Sequence, residues 1–179
     1  TGEGTTNLGK PLRLIENPLR KDIEIYLAAI GPKNIELSAE IADGWLPFMY
    51  SPTKGDDIFN QYLDLGFEKS NNPEKRKTFE ISAPVYARIC KEEEKEIYLA
   101  PARSTYTLYV GGMGAKTKNF YFNLLCDYGY KENAEKIQDL YLAGDKQEAE
   151  KHFPEELLDD LTLVGSKESI VSKLENWKQ

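Results

Sequence analysis

Two short apolar runs joined by a helix-length segment constrain the fold of this chain more than any other feature. Residues 23–29 (IEIYLAA) form the first run, and residues 45–50 (WLPFMY) form the second. Gly31 and Pro32 open the segment between them. Pro suits the first position of a helix, and Gly before it is a permissive N-cap. The pattern predicts two parallel strands joined by a crossover helix, a βαβ unit.

The same alternation continues further along the chain. We expect the first helix to end at Asp43-Gly44, a second helix to open near Asp57, and a third strand to span 79–90. Pro84 lies inside that third strand and removes one ladder donor, so a bulge or local break is expected there. Residues 1–22 are rich in Gly and Pro and are predicted to be a loop. The overall pattern up to this point is β-α-β-α-β.

The rest of the chain is predicted to be mainly helical. Residues 91–165 contain successive amphipathic stretches, with a kink expected at Pro101 and a helix stop at the GGMG sequence, 111–114. A final helix is expected over 166–179, capped by Ser166. The sequence therefore predicts one α/β domain with a large helical addition.

Charge and composition narrow the class of partner. The chain has 179 residues and a formal net charge of −7, so its surface repels a phosphate backbone on average. A nucleic-acid partner is therefore disfavoured. A small anionic cofactor is not excluded, since its binding depends on local donors. Hydrophobic residues make up 40% of the chain, enough apolar surface to bury a core and to disfavour disorder as a class.

The cysteine and histidine content disfavours a metal site. Cys90, Cys126 and the single His152 have neither the number nor the spacing of zinc ligands, so no metal is expected. Two buried, reduced thiols are typical of a cytoplasmic protein. The sequence shows no signal peptide and no apolar run near the roughly 20 residues that span a bilayer. We therefore predict a cytoplasmic location and no membrane partner.

The turn Ala28-Ala29-Ile30-Gly31-Pro32 is the first candidate site. In parallel β/α proteins ligands bind at the carboxyl ends of strands, and small residues there let a flat ring approach the backbone. The free N–H groups and the helix dipole at Lys33 and Asn34 favour a phosphate or carboxylate. The alternative is that Gly-Pro simply forms a tight turn between strand and helix, and residue types alone favour this second interpretation.

The second candidate lies in the stretch YVGGMGAKTKNFYF. Gly111 and Gly112 permit a mobile or tightly turned segment. Met113, Phe120 and Tyr121 have side chains able to cover a planar ligand. A helix end that packs its aromatic residues into the core explains the same pattern equally well, and both interpretations stay open.

Four stretches together resemble a known family. They are IYLAAIGPKNIELSAEIADGWLP, LYVGGMGAKTKNFY, IQDLYLAGDKQEA and LVGSKESIVSKL, in this order and spacing. They resemble the luciferase-like monooxygenase superfamily. Within it the chain is most similar to deazaflavin (coenzyme F420)-dependent oxidoreductases related to methylenetetrahydromethanopterin reductase.

The resemblance implies a partial (β/α)8 TIM barrel with a large helical insertion. Residues 25–29, 45–50 and 79–90 correspond to strands five to seven, and 1–179 to the C-terminal portion of one barrel domain. Strand eight and the N-terminal half then lie outside this chain. The family's catalytic residues lie largely in that half, so catalytic residues are unknown here.

The resemblance also implies a reaction and a cofactor. Hydride transfer between coenzyme F420 and a small organic substrate is expected. One alternative is an FMN-dependent monooxygenase of the same superfamily, and another is a non-catalytic fragment. Ala28, Ala29, Ile30, Gly31 and Pro32 are expected to contact the cofactor, although Ile30 departs from relatives that have Gly or Ser there. Gly111, Gly112 and Met113 lie in the region that closes over the site, and a homodimer is expected for the complete protein.

Overall fold

Short parallel strands and nine α-helices make up the part of the chain that the structure describes. The structure is a computed structural model that describes residue 9, residues 15–17 and residues 19–178, so most of the predicted 1–22 loop and Gln179 lie outside it. The strands are β1 Tyr26–Ala28, β2 Gly44–Leu46, β3 Glu80–Ile81, β4 Tyr86–Ile89 and β5 Thr162–Gly165. The helices are α1 Pro32–Ile41, α2 Gly55–Lys69, α3 Lys75–Thr78, α4 Lys95–Gly112, α5 Phe120–Asp127, α6 Lys131–Leu142, α7 Lys146–Glu150, α8 Glu155–Asp160 and α9 Lys167–Leu174.

The predicted β-α-β-α-β order is confirmed as a three-stranded parallel sheet with order β1-β2-β3. Tyr26 pairs with Gly44, and Gly44 pairs with Glu80. Gly31 is the N-cap of α1 and Pro32 its first residue, as predicted. The register brings the carboxyl ends of all three strands to one edge of the sheet, where the βα loops begin.

The two faces of this sheet differ. Trp45 is fully buried on the face that the helices cover, its indole N–H donates to the Ala29 carbonyl at 2.9 Å, and its ring lies 5.0 Å from that of Phe59 in α2. On the opposite face the Tyr26 ring lies directly over Gly44, and its hydroxyl donates to Glu80. A Cβ at position 44 would lie 2.3 Å from that ring, so only glycine fits there.

Pro84 divides the predicted strand 79–90 into two, as expected. Residues before it form β3 in the first sheet, and residues after it form β4 in a second. There β4 pairs in parallel with β5, and Ala87 lies opposite Leu163. The region 91–165, predicted to be mainly helical, therefore ends in a strand, β5, which pairs with β4.

Several predicted boundaries are corrected by the structure. The first helix ends at Ile41 with Ala42 as its C-cap, and Gly44 instead begins β2. The predicted strand 45–50 stops at Leu46, because Met49 has a positive φ of 58° and the chain turns there. Helix α4 runs through Gly111 and Gly112 rather than stopping before them.

The carboxylate of Asp159 links three helices of the helical region. Asp159 in α8 accepts from Lys95 of α4 at 2.9 Å and lies 2.7 Å from Lys173 of α9.

Ser166 caps α9 by accepting from the Ser169 N–H, as predicted. Within the described residues, no helix has both the length and the apolar composition that crossing a membrane requires.

Candidate functional site

The carboxyl ends of the three strands border an open apolar cavity. One part, of about 390 Å³, lies beside the ends of all three strands. An adjoining part of about 140 Å³ shares Ala28, Leu46 and Phe48 with it. We call the two parts together the strand-end cavity. Its lining consists of Ala28, Ala29, Ile30, Leu46, Pro47, Phe48, Ser82, Ala83, Pro84 and Tyr121.

The first predicted turn reaches this cavity with three of its five residues, and Gly31 and Pro32 are outside the lining. Ala28, Ala29 and Ile30 line it directly. Gly31 follows in extended conformation, with φ −80° and ψ 146°, so its backbone does not itself require glycine. A Cβ at position 31 would lie 3.1 Å from Cε1 of Phe120, a side chain that is 55% exposed. The space beside Gly31 is thus limited by a movable ring.

The backbone of the same turn is partly committed to the helix. The Asn34 N–H donates to the Gly31 carbonyl at 3.0 Å, and the Ile35 N–H donates to it at 3.1 Å. Pro32 has no N–H to offer. Lys33 is 86% exposed and pairs with Glu36 at 2.9 Å. The turn therefore offers an apolar surface more than a set of anion-binding donors.

Phe48 and Tyr121 wall the cavity on its helical side, and Tyr109 packs against both rings without lining it. The Phe48 and Tyr121 rings lie 5.8 Å apart at 87°, and Tyr109 lies 4.7 Å from Tyr121 at 81°. Phe48 also contacts the ring of Tyr109 at 4.4 Å. Sequence reasoning missed Phe48, although its place directly after a strand at the carboxyl edge was a usable signal.

The loop that carries Phe48 is held by buried hydrogen bonds. The Tyr128 hydroxyl donates to the Met49 carbonyl at 2.7 Å and accepts from the Ser51 N–H at 3.1 Å. Ser51 in turn donates through its hydroxyl to Asp160. Burial raises the pKa of Tyr128, so its phenol stays protonated and able to donate. The helical region therefore fixes the wall that Phe48 forms.

The second predicted stretch lies elsewhere. Gly111 and Gly112 form the last turn of α4 and pack against Tyr141 of α6, and Met113 is the C-cap, 45% exposed. None of these three residues lines the strand-end cavity. Tyr121 does reach it, and Phe120 lies against Gly31, so the two ends of this stretch have different surroundings.

Cys90 and Cys126, predicted to be buried thiols, are free and partly buried. Burial raises the pKa of the Cys126 thiol, which favours the unreactive protonated form near neutral pH. No group of three or more His, Cys, Asp or Glu residues in the described ranges is arranged to hold a metal ion.

Comparison with known proteins places this geometry in a family context. A sequence profile described as luciferase-like monooxygenase matches residues 1–179. A protein of Mycobacterium tuberculosis, named provisionally as a coenzyme F420-dependent oxidoreductase, is 40% identical over 178 residues. That alignment covers 99% of this chain and 50% of the relative, so the chain spans about half of its length.

Two further comparisons agree in sequence and in fold. The 5,10-methylenetetrahydromethanopterin reductase of Archaeoglobus fulgidus is 24% identical over 157 residues, covering 85% of this chain and 44% of that protein. The solved coenzyme F420-dependent tetrahydromethanopterin reductase of Methanopyrus kandleri superposes with a TM-score of 0.63 at 22% identity, covering 86% of this chain and 41% of the other. At this identity the second comparison shows a shared α/β fold alone.

Proposed function

This chain belongs to the luciferase-like monooxygenase family, and on that premise we propose that it is the C-terminal portion of an oxidoreductase that uses coenzyme F420. The name of the 40% identical relative supports this cofactor, as does the name of the solved Methanopyrus kandleri reductase. The proposed reaction is hydride transfer between the deazaflavin and a small organic substrate. The proposed whole-protein fold is a (β/α)8 barrel of which this chain supplies one part.

The strand-end cavity is the observation that carries the proposal. A flat ring needs a floor of small side chains and apolar walls, and the cavity offers Ala28 and Ala29 as floor and Phe48 as wall. The described residues therefore fit the ring end of a deazaflavin. When bound, that ring supplies the carbon that accepts or donates hydride.

The residues of this chain then have a positioning role. Ala28 and Ala29 would let the ring approach the strand ends, and Phe48 would pack against it. Leu46, Pro47 and Ala83 exclude water from the surface beneath the ring, because none has a polar side-chain atom. Excluding water strengthens the electrostatic interactions inside such a site.

The backbone of the turn 28–32 favours contact with the cofactor ring over contact with its phosphate. The N–H of Asn34 is bonded within the turn, and the surface beside Ala28 to Ile30 is apolar. Both features support contact with a ring rather than with a phosphate. We propose that Gly31 and Pro32 shape the entrance of the strand-end cavity. We also propose that Gly111, Gly112 and Met113 border the site when it is closed.

Two alternatives remain part of the proposal. FMN use is less favoured, because the named relatives are described by coenzyme F420. A fragment without activity is expected to bind cofactor weakly, since an edge strand and an open sheet face are exposed on this half. Catalytic groups are proposed to lie in the remainder of the protein. A cytoplasmic homodimer stays a prediction.

Titration of the full-length protein with oxidised coenzyme F420 and, separately, with FMN tests this function. Quenching of deazaflavin fluorescence measures binding of the first, and flavin fluorescence measures binding of the second. We expect saturable binding of coenzyme F420 and none of FMN at matched concentrations. Purified protein that carries tightly bound FMN, or that consumes oxygen with reduced FMN, would overturn the proposal.

A further inference from the structure

Tyr121 brings a polar group into an otherwise apolar cavity. Of the residues that line the strand-end cavity, only Ser82 and Tyr121 have polar side chains. Within the described residues, the Tyr121 hydroxyl has no hydrogen-bond partner. Burial raises the pKa of this phenol, with Tyr109 adding to the effect, so the group is protonated at neutral pH. The phenol is therefore able to donate a hydrogen bond, and its side chain lines the cavity.

Several other tyrosines of the chain bond their hydroxyls within the protein. The hydroxyl of Tyr86 lies 2.9 Å from that of Thr105, and the hydroxyl of Tyr128 bonds both Met49 and Ser51. These phenols satisfy their hydrogen bonds inside the protein, as structural tyrosines normally do. Among the described residues the hydroxyls of Tyr62, Tyr98, Tyr109 and Tyr141 also lack a protein partner, but of these five tyrosines only Tyr121 lines the strand-end cavity, where a ligand acceptor could bind it.

The position of Tyr121 is set by a buried asparagine. Asn119 is 2% exposed and is the N-cap of α5. Its Oδ1 accepts from the N–H of Tyr121 at 2.9 Å and of Phe122 at 3.1 Å. Its Nδ2 donates to the carbonyls of Tyr109 and Val110, each at 2.9 Å. One side chain thus joins the end of α4 to the start of α5.

The rings around Tyr121 restrict it further. Tyr109 contacts it edge-on at 4.7 Å, and Phe48 stands nearly perpendicular to it at 5.8 Å. Perpendicular aromatic pairs at these distances are favourable contacts. The ring of Tyr121 is therefore held in one orientation before any ligand arrives, which lowers the entropy cost of a contact to that ligand.

We propose that Tyr121 contacts the deazaflavin ring and donates a hydrogen bond from its phenol to an acceptor atom on the ring edge, and that Asn119 is the residue that positions it. The inference rests on the proposed function, because it takes coenzyme F420 as the ligand. The acceptor is a carbonyl oxygen or ring nitrogen, the two acceptor types that such a ring presents at its edge.

The test uses the full-length protein and oxidised coenzyme F420. Tyr121→Phe removes the hydroxyl and keeps the ring, and Tyr109→Phe is the matched control, because Tyr109 packs on Tyr121 without lining the cavity. We expect Tyr121→Phe to raise the dissociation constant about tenfold, the effect of losing one good hydrogen bond. It should also move the absorption maximum of bound cofactor towards that of a hydrogen-bond-free ring. The control should stay within about twofold.

Asn119 is tested by loss and rescue. Asn119→Ala should weaken coenzyme F420 binding and shift the same absorption band, because Tyr121 is no longer fixed. Asn119→Ser keeps an acceptor at the cap and should restore most of the affinity. Melting temperatures of all variants identify any loss of fold.

Different failures have different meanings. Wild-type affinity and an unchanged spectrum in Tyr121→Phe would overturn this inference and leave the proposed function standing. Absence of coenzyme F420 binding by the wild-type protein would overturn both.

Discussion

Gly31 and the Gly111-Gly112 pair are both candidate ligand positions by sequence, yet the structure gives them different surroundings. Beside Gly31 a Cβ would meet the edge of the half-exposed Phe120 ring at 3.1 Å. At Gly111 a Cβ would lie 2.5 Å from Cβ of Tyr141, and at Gly112 it would lie 2.6 Å from Cε1 of the same residue. Glycine is thus optional for packing at the first place and required at the second.

The difference separates two reasons for a glycine. Gly111 and Gly112 let α4 approach α6, because a larger residue would collide with Tyr141 there. Gly31 follows residues that line the strand-end cavity, and a Cβ there would meet only the half-exposed Phe120 ring. An added Cβ meets a packed helix neighbour at Gly111 and Gly112 and a half-exposed ring at Gly31, a difference that the sequence pattern alone does not give.

The largest expected effect is at Gly111. Gly111→Ala should lower the free energy of unfolding by about 1–2 kcal/mol, because overpacking against a backbone-proximal Cβ outweighs the better helix propensity of Ala. Chemical denaturation of the full-length protein measures this change. Unchanged or raised stability would show that α4 and α6 do not approach as closely as described.

Gly112 provides a matched control for that collision. Gly112→Ala meets the far part of the Tyr141 ring, so Tyr141→Ala should relieve most of its cost in a double-mutant cycle. The Tyr141→Ala background should not relieve the cost of Gly111→Ala, because alanine at position 141 keeps the Cβ that the new methyl group meets. If Tyr141→Ala reduced the stability cost of both variants equally, the two glycines would not contact different parts of Tyr141.

A smaller effect is expected at Asp159. Its substitution should change the stability of the helical region and leave ligand binding unchanged. Hydrogen bonds from Lys173 and Lys95 hold the pKa of Asp159 below its ordinary value, despite the desolvation that opposes them. A depressed native pKa means that the ionised carboxylate stabilises the fold above the unfolded pKa of about 4 and that this contribution is lost as the pH falls through the native pKa.

Asp159→Asn is therefore expected to lower the melting temperature at pH 7, with a difference from wild type that shrinks below about pH 4. Coenzyme F420 affinity at pH 7 should not change, since Asp159 does not line the strand-end cavity. A difference in melting temperature that grows on acidification would contradict the ion-pair assignment.

Local signals in the sequence predicted the parts of the fold that local chemistry determines. Gly31-Pro32 and Ser166 were recognisable helix starts, and Pro84 was recognisable as a break in a strand. The small residues of the β1 turn were also identifiable, because carboxyl strand ends are where ligands bind in such sheets.

The rest depends on contacts between distant parts of the chain. Strand β5 is only four residues long and gains its conformation from pairing with β4. The role of Asn119 depends on carbonyls of α4, and the positive φ of Met49 is held by Tyr128. The aromatic wall at Phe48 likewise forms only once α4 and α5 pack beside it.

The smallest stability effect is expected at Gly31, where the effect on ligand binding should be largest. Gly31→Val should change the free energy of unfolding by no more than about 1 kcal/mol, because the backbone is extended and Gly is only a modest N-cap. Phe120→Ala is the control background, since it removes the only ring that the new side chain is expected to displace.

The dissociation constant of coenzyme F420 for full-length Gly31→Val, compared with wild type, tests the central claim most directly. If the turn after β1 admits the cofactor ring, the variant should bind at least about tenfold more weakly, with or without Phe120. Equal affinities, or a loss explained entirely by lowered stability, would show that Gly31-Pro32 is only a turn between strand and helix.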